Sequence, residues 1–224
     1  MLKSVINLLY PAGSRVHPEK IKKRLPPFCV KCGRQMNNIP ELIDICADCR
    51  NDAPYFDRAW SACYYEDPLK SLIHDFKYKH MISLSKDFSN LIVDFMKQYN
   101  VAAGCEFILS VPMHPGRLFK REVNHSDILA KDIAKRLDIP YSGKTLKKIK
   151  DTLIQSTLKR EERIKNLRSS FSVKNTSAVR GKNILLVDDL FTTGSTVNEC
   201  SRILKESGAA RIEVITLARG DRPQ

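Results

Sequence analysis

The residues best suited to chemistry lie in one short stretch near the end of the printed sequence. Asp188 and Asp189 follow an apolar run, and a loop rich in hydroxyl groups comes two residues later. This loop contains Thr192, Thr193, Gly194, Ser195 and Thr196. An ordinary helix N-cap needs only one Ser or Thr. So many small polar residues together therefore indicate a binding site.

The hydroxyl loop has the composition and position of a phosphate-binding loop. It lies between a predicted buried strand at residues 184–187 and a predicted helix from about residue 196 to residue 207. A helix N-terminus offers unpaired backbone N–H groups and the positive end of the helix dipole. Gly194 lets the backbone close on an anion. We therefore interpret the loop as a phosphate cradle.

The two acids before the loop need a further explanation, because two carboxylates would repel a phosphate alone. Carboxylates accept hydrogen bonds well from the hydroxyl groups of a ribose diol. A 5-phosphorylated ribose carries both a diol and a phosphate. The sequence contains neither Gly-x-x-x-x-Gly-Lys-Ser/Thr nor Gly-x-Gly-x-x-Gly. The stretch therefore predicts a site for a phosphorylated ribose.

Four of the seven cysteines form two Cys-x-x-Cys pairs, which are Cys29 with Cys32 and Cys46 with Cys49. Zinc binds four thiolates in a tetrahedron, and each such turn presents two of them. A redox-active pair is the alternative, but it would not require the second pair. Four cysteine ligands leave no position open for a catalytic water. The pairs therefore predict a structural zinc site in a reducing compartment.

The elements that must position these residues alternate between helices and strands. Helices are predicted at residues 69–79, 84–99 and 125–137, and buried strands at residues 106–111, 184–187 and 212–217. This alternation favours an α/β fold with a mostly parallel central sheet and helices on both faces. Ligands bind beyond the carboxyl ends of the strands in such sheets, which is where the acids lie.

The composition narrows the class of partner. The chain has 38 Lys and Arg against 25 Asp and Glu, a net charge of +13. This excess favours nucleic acid, a phosphorylated metabolite or an acidic protein surface, although a solvated lysine-rich surface explains it equally well. No stretch approaches the about 20 apolar residues of a transmembrane helix, and we expect neither such a helix nor a signal peptide.

The stretch Val-Asp-Asp-Leu-Phe-Thr-Thr-Gly-Ser-Thr at residues 187–196 resembles the phosphoribosyl-pyrophosphate (PRPP) signature of type I phosphoribosyltransferases. Nearly the whole chain resembles the ComF family, the ComFC-type competence proteins with a four-cysteine module before a phosphoribosyltransferase domain. Besides the cysteine pairs, the supporting stretches are Phe-Lys-Tyr-Lys at 76–79, Val-Pro-Met-His-Pro-Gly-Arg at 111–117, Lys-Arg-Glu-Val-Asn at 120–124 and Asp-Thr-Leu-Ile-Gln-Ser-Thr-Leu at 151–158, continued by Arg160, Arg163 and Asn166.

The resemblance implies a type I phosphoribosyltransferase fold with a small N-terminal zinc-binding module. The expected division is a helix, linker and zinc module in residues 1–54 and the phosphoribosyltransferase-like domain in residues 55–224. One segment departs from the family, because residues 121–125 read Arg-Glu-Val-Asn-His where the family usually has Arg-Gly-Phe-Asn-Gln. Glu122 adds a carboxylate close to the expected position of the anionic pyrophosphate. This negative charge bears on how pyrophosphate is bound and on whether PRPP is turned over.

The resemblance also implies a reaction, the displacement of pyrophosphate from PRPP by a nitrogen nucleophile. Asp188 and Asp189 are the expected catalytic pair and would hold the ribose diol. Mg²⁺ would bridge the pyrophosphate and the ribose hydroxyl groups. The expected PRPP-binding residues are these two acids, the hydroxyl loop and Arg117, Arg121, Arg160 and Arg163, with Lys77 and Lys79 behind the first two arginines.

The segment at residues 152–166 is polar, basic and free of glycine. The resemblance implies a flexible loop that closes over PRPP and excludes water, which would bring Arg160 and Arg163 to the diphosphate. A solvated helix whose charges form ordinary ion pairs is an equal alternative.

Two functions of different class follow from the resemblance. One is an enzyme, a phosphoribosyltransferase that uses Mg²⁺ and transfers to an unknown acceptor. The other is a non-catalytic adaptor in DNA uptake that senses PRPP or a nucleotide. The expected partners are PRPP, single-stranded DNA and a competence helicase or other DNA-uptake proteins. The expected location is the cytoplasm, with attachment to the inner face of the cytoplasmic membrane through partners.

Overall fold

A computed structural model describes residues 17–36, 44–116, 123–150 and 169–220 of the chain. The helices in these ranges are α1 (Ala47–Asn51), α2 (Leu69–Tyr78), α3 (Leu84–Gln98), α4 (His125–Leu137) and α5 (Ser195–Glu206), with 3₁₀ turns at Pro18–Lys20 and Thr176–Ala178. The strands are β1 (Arg58–Tyr64), β2 (Phe107–Ser110), β3 (Tyr141–Ser142), β4 (Leu146–Lys148), β5 (Phe171–Val173), β6 (Asn183–Phe191) and β7 (Arg211–Arg219). None of the helices in these ranges is long and apolar enough to cross a membrane.

Five strands form the central sheet in the order β1-β7-β6-β2-β3, and every neighbouring pair is parallel. β6 lies in the middle, so its carboxyl end is at the centre of the edge where parallel sheets bind ligands. β4 and β5 form a separate antiparallel pair. The mostly parallel sheet predicted from the sequence is confirmed.

Alternate side chains of the central strands pack into cores on opposite faces of the sheet. On β6, Leu185 and Val187 enter one core, whereas Ile184 and Leu186 enter the other. Residues of α2, α3 and α4 belong to the first core. The second core contains residues of α5 and of the cysteine module (residues 28–36 and 44–52). Each large apolar side chain buried in this way contributes about 1.5–3 kcal/mol to stability.

β6 continues four residues beyond the predicted end of the strand. The apolar run stops at Val187, but the backbone stays paired with β7 up to Phe191. Asp188 is in register with Thr216, so the first of the two acids is itself a strand residue. The apolar run therefore marks only the first part of the strand, because Asp189 and Phe191 beyond it are also buried.

β1 is a strand that the sequence does not predict. Small residues such as Ala59 and Ala62 lack the β-branched character that identifies most strands. One side of β1 pairs with β7. On the other side, the Ala59 N–H donates to the carbonyl of Lys31 at 2.7 Å, and the Tyr64 N–H donates to the carbonyl of Lys22 at 3.1 Å. The N-terminal part of the chain therefore lies along β1.

Candidate functional site

The two acids lie in the last part of β6, next to the N-terminal turn of α4. Asp188 Oδ1 accepts hydrogen bonds from Ser126 Oγ at 2.7 Å and from the backbone N–H of Asp189 at 2.9 Å. Ser126 is the second residue of α4, so that helix holds one oxygen of the carboxylate. The orientation of Asp188 is thus set by the protein itself.

Asp189 forms an ion pair with Lys77 in the last turn of α2. Its Oδ2 lies 2.7 Å from Lys77 Nζ, and the two side chains are 12% and 19% exposed. If either residue moved away, the other would be left as a buried, uncompensated charge. The ion pair therefore keeps Asp189 in this position. Lys79, expected with Lys77 behind Arg117 and Arg121, forms an ion pair with Asp75 at 2.8 Å.

The two acids differ in how they hold protons. Burial and the neighbouring charge of Asp189 raise the pKa of Asp188 to about 7, although Ser126 and Lys77 oppose this shift. Burial acts to lower the pKa of Lys77, but the carboxylates of Asp189 and Asp188 outweigh it, and the pKa of Lys77 is raised. The site therefore combines a fixed cation with a carboxyl group whose charge changes near neutral pH.

The acids line a pocket of about 160 Å³, which we call the acid pocket. Its walls also include Lys77, residues 111–114 after β2, Lys148 and Thr196. Lys148 also lines the pocket; it is 8% exposed, and its Nζ lies 5.6 Å from the centre of the Phe171 ring. Two carboxylates and two lysines suit a ligand that carries both hydroxyl and phosphate groups.

Ser126 and Lys148 are site residues that sequence reasoning missed. Lys148 belongs to a basic run at residues 144–150 that is typical of a solvated surface. In β4, however, Leu146 and Lys148 are both buried and Lys147 between them is exposed. Leu146 and Lys148 therefore share the inner face of the strand, and this alternation is a signal for a buried lysine. Ser126 has no comparable signal beyond its place in the first turn of a predicted helix.

The hydroxyl loop turns sharply between β6 and α5. Gly194 adopts a φ of +77°, and a Cβ on it would lie 2.5 Å from Cζ of Phe191. Thr193 Oγ1 and Ser195 Oγ share a hydrogen bond of 2.8 Å. α5 begins at Ser195, so its first N–H groups have no partner within the helix. The loop thus has the backbone shape of an anion cradle.

The hydroxyl loop also lines a second pocket, of about 230 Å³, which we call the loop pocket. Residues 192–195 form part of its wall, and the cysteine module contributes Arg34, Asp48 and Cys49. Thr196 and the two acids line the acid pocket instead. The structure therefore divides the predicted site residues between two pockets, with Ser195 in the wall of one and Thr196 in the wall of the other.

The four predicted zinc ligands form a cluster in which all sulfur atoms lie within 4.8 Å of one another. The Sγ atoms of Cys32 and Cys46 are 3.7 Å apart. A tetrahedral zinc ion with bonds of about 2.3 Å would separate its sulfur ligands by about 3.8 Å. The N–H of Cys46 also donates to Sγ of Cys29 at 3.3 Å. The donor set of Cys29, Cys32, Cys46 and Cys49 therefore fits zinc.

Because the four thiol groups are close together, ionisation of one of them changes the pKa values of its neighbours. Hydrogen bonds with Cys32 and Cys49 lower the pKa of Cys29. The hydrogen bond with Cys29 raises the pKa of Cys32 to about 11, and hydrogen bonds with both neighbours raise the pKa of Cys49. A bound divalent cation would allow all four thiols to be ionised together, because metal-bound thiols are deprotonated.

Four of the predicted PRPP ligands, together with Glu122, lie outside the described residues, and their roles stay predictions. These ligands are Arg117, Arg121, Arg160 and Arg163. The strands on either side of the predicted closing loop are described, since β4 ends at Lys148 and pairs with β5, which begins at Phe171.

Comparison with known proteins finds one matching protein family and several relatives that are similar over most of their length. Residues 126–224 match the family described as phosphoribosyl transferase domain. The chain is 32% identical over 199 residues to competence protein F of Haemophilus influenzae, covering 86% of this chain and 85% of that protein. It is 30% identical over 210 residues to competence protein ComFC of Bacillus subtilis, covering 89% and 81%. It is also 29% identical over 195 residues to the DNA utilization protein YhgH of Salmonella typhimurium, covering 86% and 84%.

A solved structure of the glutamine PRPP amidotransferase of B. subtilis, in complex with ADP and GMP, matches with a TM-score of 0.39 and 22% identity. The match covers 60% of this chain and 26% of that one. The curated relatives match over much more of their length, at identities up to 32%. The chain therefore belongs to the family of competence protein F and ComFC, with a phosphoribosyltransferase domain and an N-terminal cluster of four cysteines.

Proposed function

We propose that the protein binds PRPP, with the ribose and pyrophosphate in the acid pocket and the 5-phosphate at the hydroxyl loop. One observation carries the proposal, the pair of acids fixed by Ser126 and Lys77 at the end of β6, directly before the loop. The pair and the loop belong to adjacent segments of one strand–loop–helix unit. A ligand that carries a diol and a phosphate on one ribose matches this order.

The ribose would bind through Asp188 and Asp189. Each carboxylate accepts hydrogen bonds from the diol, and Ser126 and Lys77 keep both groups in place. Asp188 must be ionised to accept two hydroxyl donors, although its pKa of about 7 leaves it partly protonated near neutral pH. A bound cation favours the ionised form. Ribose binding should therefore be tighter when a divalent ion accompanies the ligand.

The pyrophosphate would bind through the cations of the acid pocket. Lys77 and Lys148 both line this pocket, and Arg117, Arg121, Arg160 and Arg163 are proposed to add further positive charge. The carboxylate oxygens of the acid pocket are the ligand type that Mg²⁺ prefers. Asp188 and Asp189 would hold Mg²⁺, whose charge would offset that of the diphosphate.

The reaction supported by this arrangement is phosphoribosyl transfer to a nitrogen acceptor. The bond between the anomeric carbon and the pyrophosphate oxygen breaks, and its electrons leave with the pyrophosphate. A nitrogen lone pair forms the new bond. Positive charge develops on the ribose in such a transition state, and Asp188 and Asp189 would stabilise it. Lysine and arginine side chains would stabilise the leaving group.

A second candidate function is ligand sensing without turnover. The observation that favours it is the loop pocket, because residues 192–195 and the cysteine module line it together. A ligand bound at the hydroxyl loop would therefore also change the surface of the cysteine module. In this function the protein is an adaptor that responds to PRPP or a nucleotide and acts through partners.

Both functions are proposed to serve natural competence and DNA uptake. The support comes from relatives that are named competence proteins and DNA utilization proteins and from the net charge of +13. We propose single-stranded DNA and a competence helicase or another DNA-uptake protein as partners, at the cytoplasmic face of the membrane. Residues 1–54 would carry a structural zinc ion and residues 55–224 the PRPP site.

The test is calorimetric titration of PRPP with Mg²⁺ into the full chain and into the double variant Asp188→Asn/Asp189→Asn. The variant should lose at least about tenfold in affinity, because two charge-assisted contacts are removed, and should keep its zinc content. The matched control is Asp94→Asn/Asp138→Asn, which makes the same charge change at two exposed sites. Undiminished binding by the first variant would contradict the site assignment.

Release of pyrophosphate from PRPP separates the two candidate functions. The assay would offer nitrogen-containing acceptors, including free bases and single-stranded DNA. Release that needs one acceptor and is lost in Asp188→Asn/Asp189→Asn supports transfer. Tight PRPP binding without release under any acceptor supports the sensing function.

A further inference from the structure

Arg219, the last residue of β7, lies between the cysteine module and the hydroxyl loop. It is 5% exposed and in register with Phe191 of β6. Arginine is almost never buried to this degree unless specific partners hold it. The contacts on the two sides of its guanidinium group therefore indicate its role.

On one side, the guanidinium group contacts a zinc ligand. Arg219 Nη1 donates to the carbonyl oxygen of Cys32 at 2.6 Å, and Nη2 lies 4.0 Å from Sγ of the same residue. Four thiolates around one divalent ion carry a net negative charge, so a neighbouring cation stabilises the loaded cluster. Arg219 thus fixes the backbone of Cys32 and complements the charge on its sulfur.

On the other side, the same group supports the base of the hydroxyl loop. The guanidinium carbon of Arg219 lies 4.3 Å from the centre of the Phe191 ring, a favourable cation–π distance. The ring also packs edge-on against Phe56 with centroids 6.2 Å apart. The N–H of Gly220 donates to the carbonyl of Phe191 at 3.0 Å. Phe191 is therefore held by both the side chain and the backbone at the end of β7.

The ring of Phe191 in turn limits where the loop can lie. A Cβ on Gly194 would come within 2.5 Å of the ring, so glycine backbone and aromatic ring are in direct contact. Gly194 immediately precedes the first N–H groups of α5. A shift of the ring would therefore displace the groups that are proposed to bind phosphate.

We propose that Arg219 is a positioning residue that couples the four-cysteine site to the hydroxyl loop. The coupling follows the contacts from Cys32 through Arg219 and Phe191 to Gly194. When the cysteines release their metal, Cys32 is no longer held, Arg219 loses its fixed acceptor, and the ring beneath the loop is free to move. The effect on PRPP affinity rests on the proposed function, whereas the effect on loop order does not.

The first test uses the unmodified chain and hydrogen exchange measured by mass spectrometry, with and without a zinc chelator. Metal removal should speed exchange in residues 191–198 by about tenfold, as expected when a charge-assisted hydrogen bond is lost. The internal control is residues 130–137 of α4, which pack against α3 and β6, and their exchange should not change. Unchanged exchange in residues 191–198 after verified loss of zinc would overturn the coupling.

The second test compares Arg219→Met, Arg219→Lys and the matched control Arg58→Met. Arg58 also lies over an aromatic ring, Trp60 at 4.1 Å, but on β1 and at the opposite end of the strands. Arg219→Met should bind zinc yet show about tenfold faster exchange in residues 191–198 and about tenfold weaker PRPP binding. Arg58→Met should match the unmodified chain.

The outcomes are distinguishable. A folded, zinc-bound Arg219→Met with unchanged loop exchange would overturn the proposal. If Arg219→Met does not fold, Arg219→Lys, which keeps the charge but loses the two-armed contact, and the chelation experiment decide the question. If the unmodified chain does not bind PRPP, the proposed function fails while the exchange data still test the coupling.

Discussion

Gly194 combines two constraints that exclude any side chain, a φ of +77° and the ring of Phe191 in the space that a Cβ would take. Gly181 provides a natural comparison. Its φ is +70°, but nothing lies within 4 Å of the position of its missing Cβ. Alanine at Gly181 therefore meets backbone strain alone, whereas alanine at Gly194 meets strain and a steric clash.

We expect Gly194→Ala to lower the free energy of unfolding by about 2–5 kcal/mol, the sum of left-handed strain and overpacking. Gly181→Ala should lower it by about 1–2 kcal/mol. Urea denaturation of both variants measures the difference. PRPP titration should show a loss for Gly194→Ala alone, and equal losses of stability in the two variants would contradict the steric argument.

Asp188 should make stability depend on pH in an unusual direction for a carboxyl group. Its pKa is about 7 in the folded protein, against about 3.9 for an unfolded aspartate. Between these values the folded state binds more protons than the unfolded state. Stability from this group is therefore lost as the pH rises towards 7 and changes little above it.

Asp188→Asn removes this titration. From pH 5 to pH 7, the free energy of unfolding of the unmodified chain should fall relative to the variant by up to about 1.4 kcal/mol per pH unit. Urea denaturation at four pH values from 5 to 8 measures this difference with zinc present. Asp94→Asn, at an exposed position of α3, is the control, and parallel curves for Asp188→Asn and the unmodified chain would refute the assignment.

The sequence predicts the parts of the site that are close together along the chain. The acids, the hydroxyl loop and each cysteine pair are local patterns whose chemistry follows from residue type and spacing. Ser126 is 62 residues from its partner Asp188, so only the packing of α4 against β6 brings them together. Lys148 reaches the acid pocket for the same reason, through the placement of β4.

At the scale of elements, predictions succeed where one periodicity dominates. α3 and α4 carry clear helical stripes, and both are confirmed within one residue of the predicted bounds. β6 is longer than predicted because its backbone pairing continues through polar residues. β1 is not predicted because its composition is not typical of a strand, and its pairing with β7 determines its structure instead.

β4 offers a test of the element that carries a lysine into the acid pocket. Lys147 and Lys148 are adjacent, but they lie on opposite faces of the strand, and Lys148 is the buried one. We expect Lys148→Met to weaken PRPP binding by about tenfold, because one charge-assisted contact is lost. Lys147→Met makes the same change in composition and charge and should leave the affinity unchanged. Equal effects in titration would exclude a specific role for Lys148.

At the scale of the whole molecule, the net charge of +13 predicts a strongly salt-dependent interaction with nucleic acid. If single-stranded DNA binds through phosphate contacts, the logarithm of its affinity should fall with the logarithm of salt by about 0.7 per contact. Fluorescence anisotropy between about 50 mM and 200 mM salt measures the slope. An uncharged methylphosphonate oligonucleotide is the control. A flat response would exclude lysine–phosphate contacts as the source of binding.

The N-terminal part of the chain has a further effect on how the molecule behaves in solution. The carbonyl groups of Lys22 and Lys31 accept hydrogen bonds from backbone N–H groups on the outer side of β1, which is an edge strand of the central sheet. An unprotected strand edge is a template for pairing with another chain. Cutting the chain before β1 would expose this edge, and we expect the resulting fragment to aggregate.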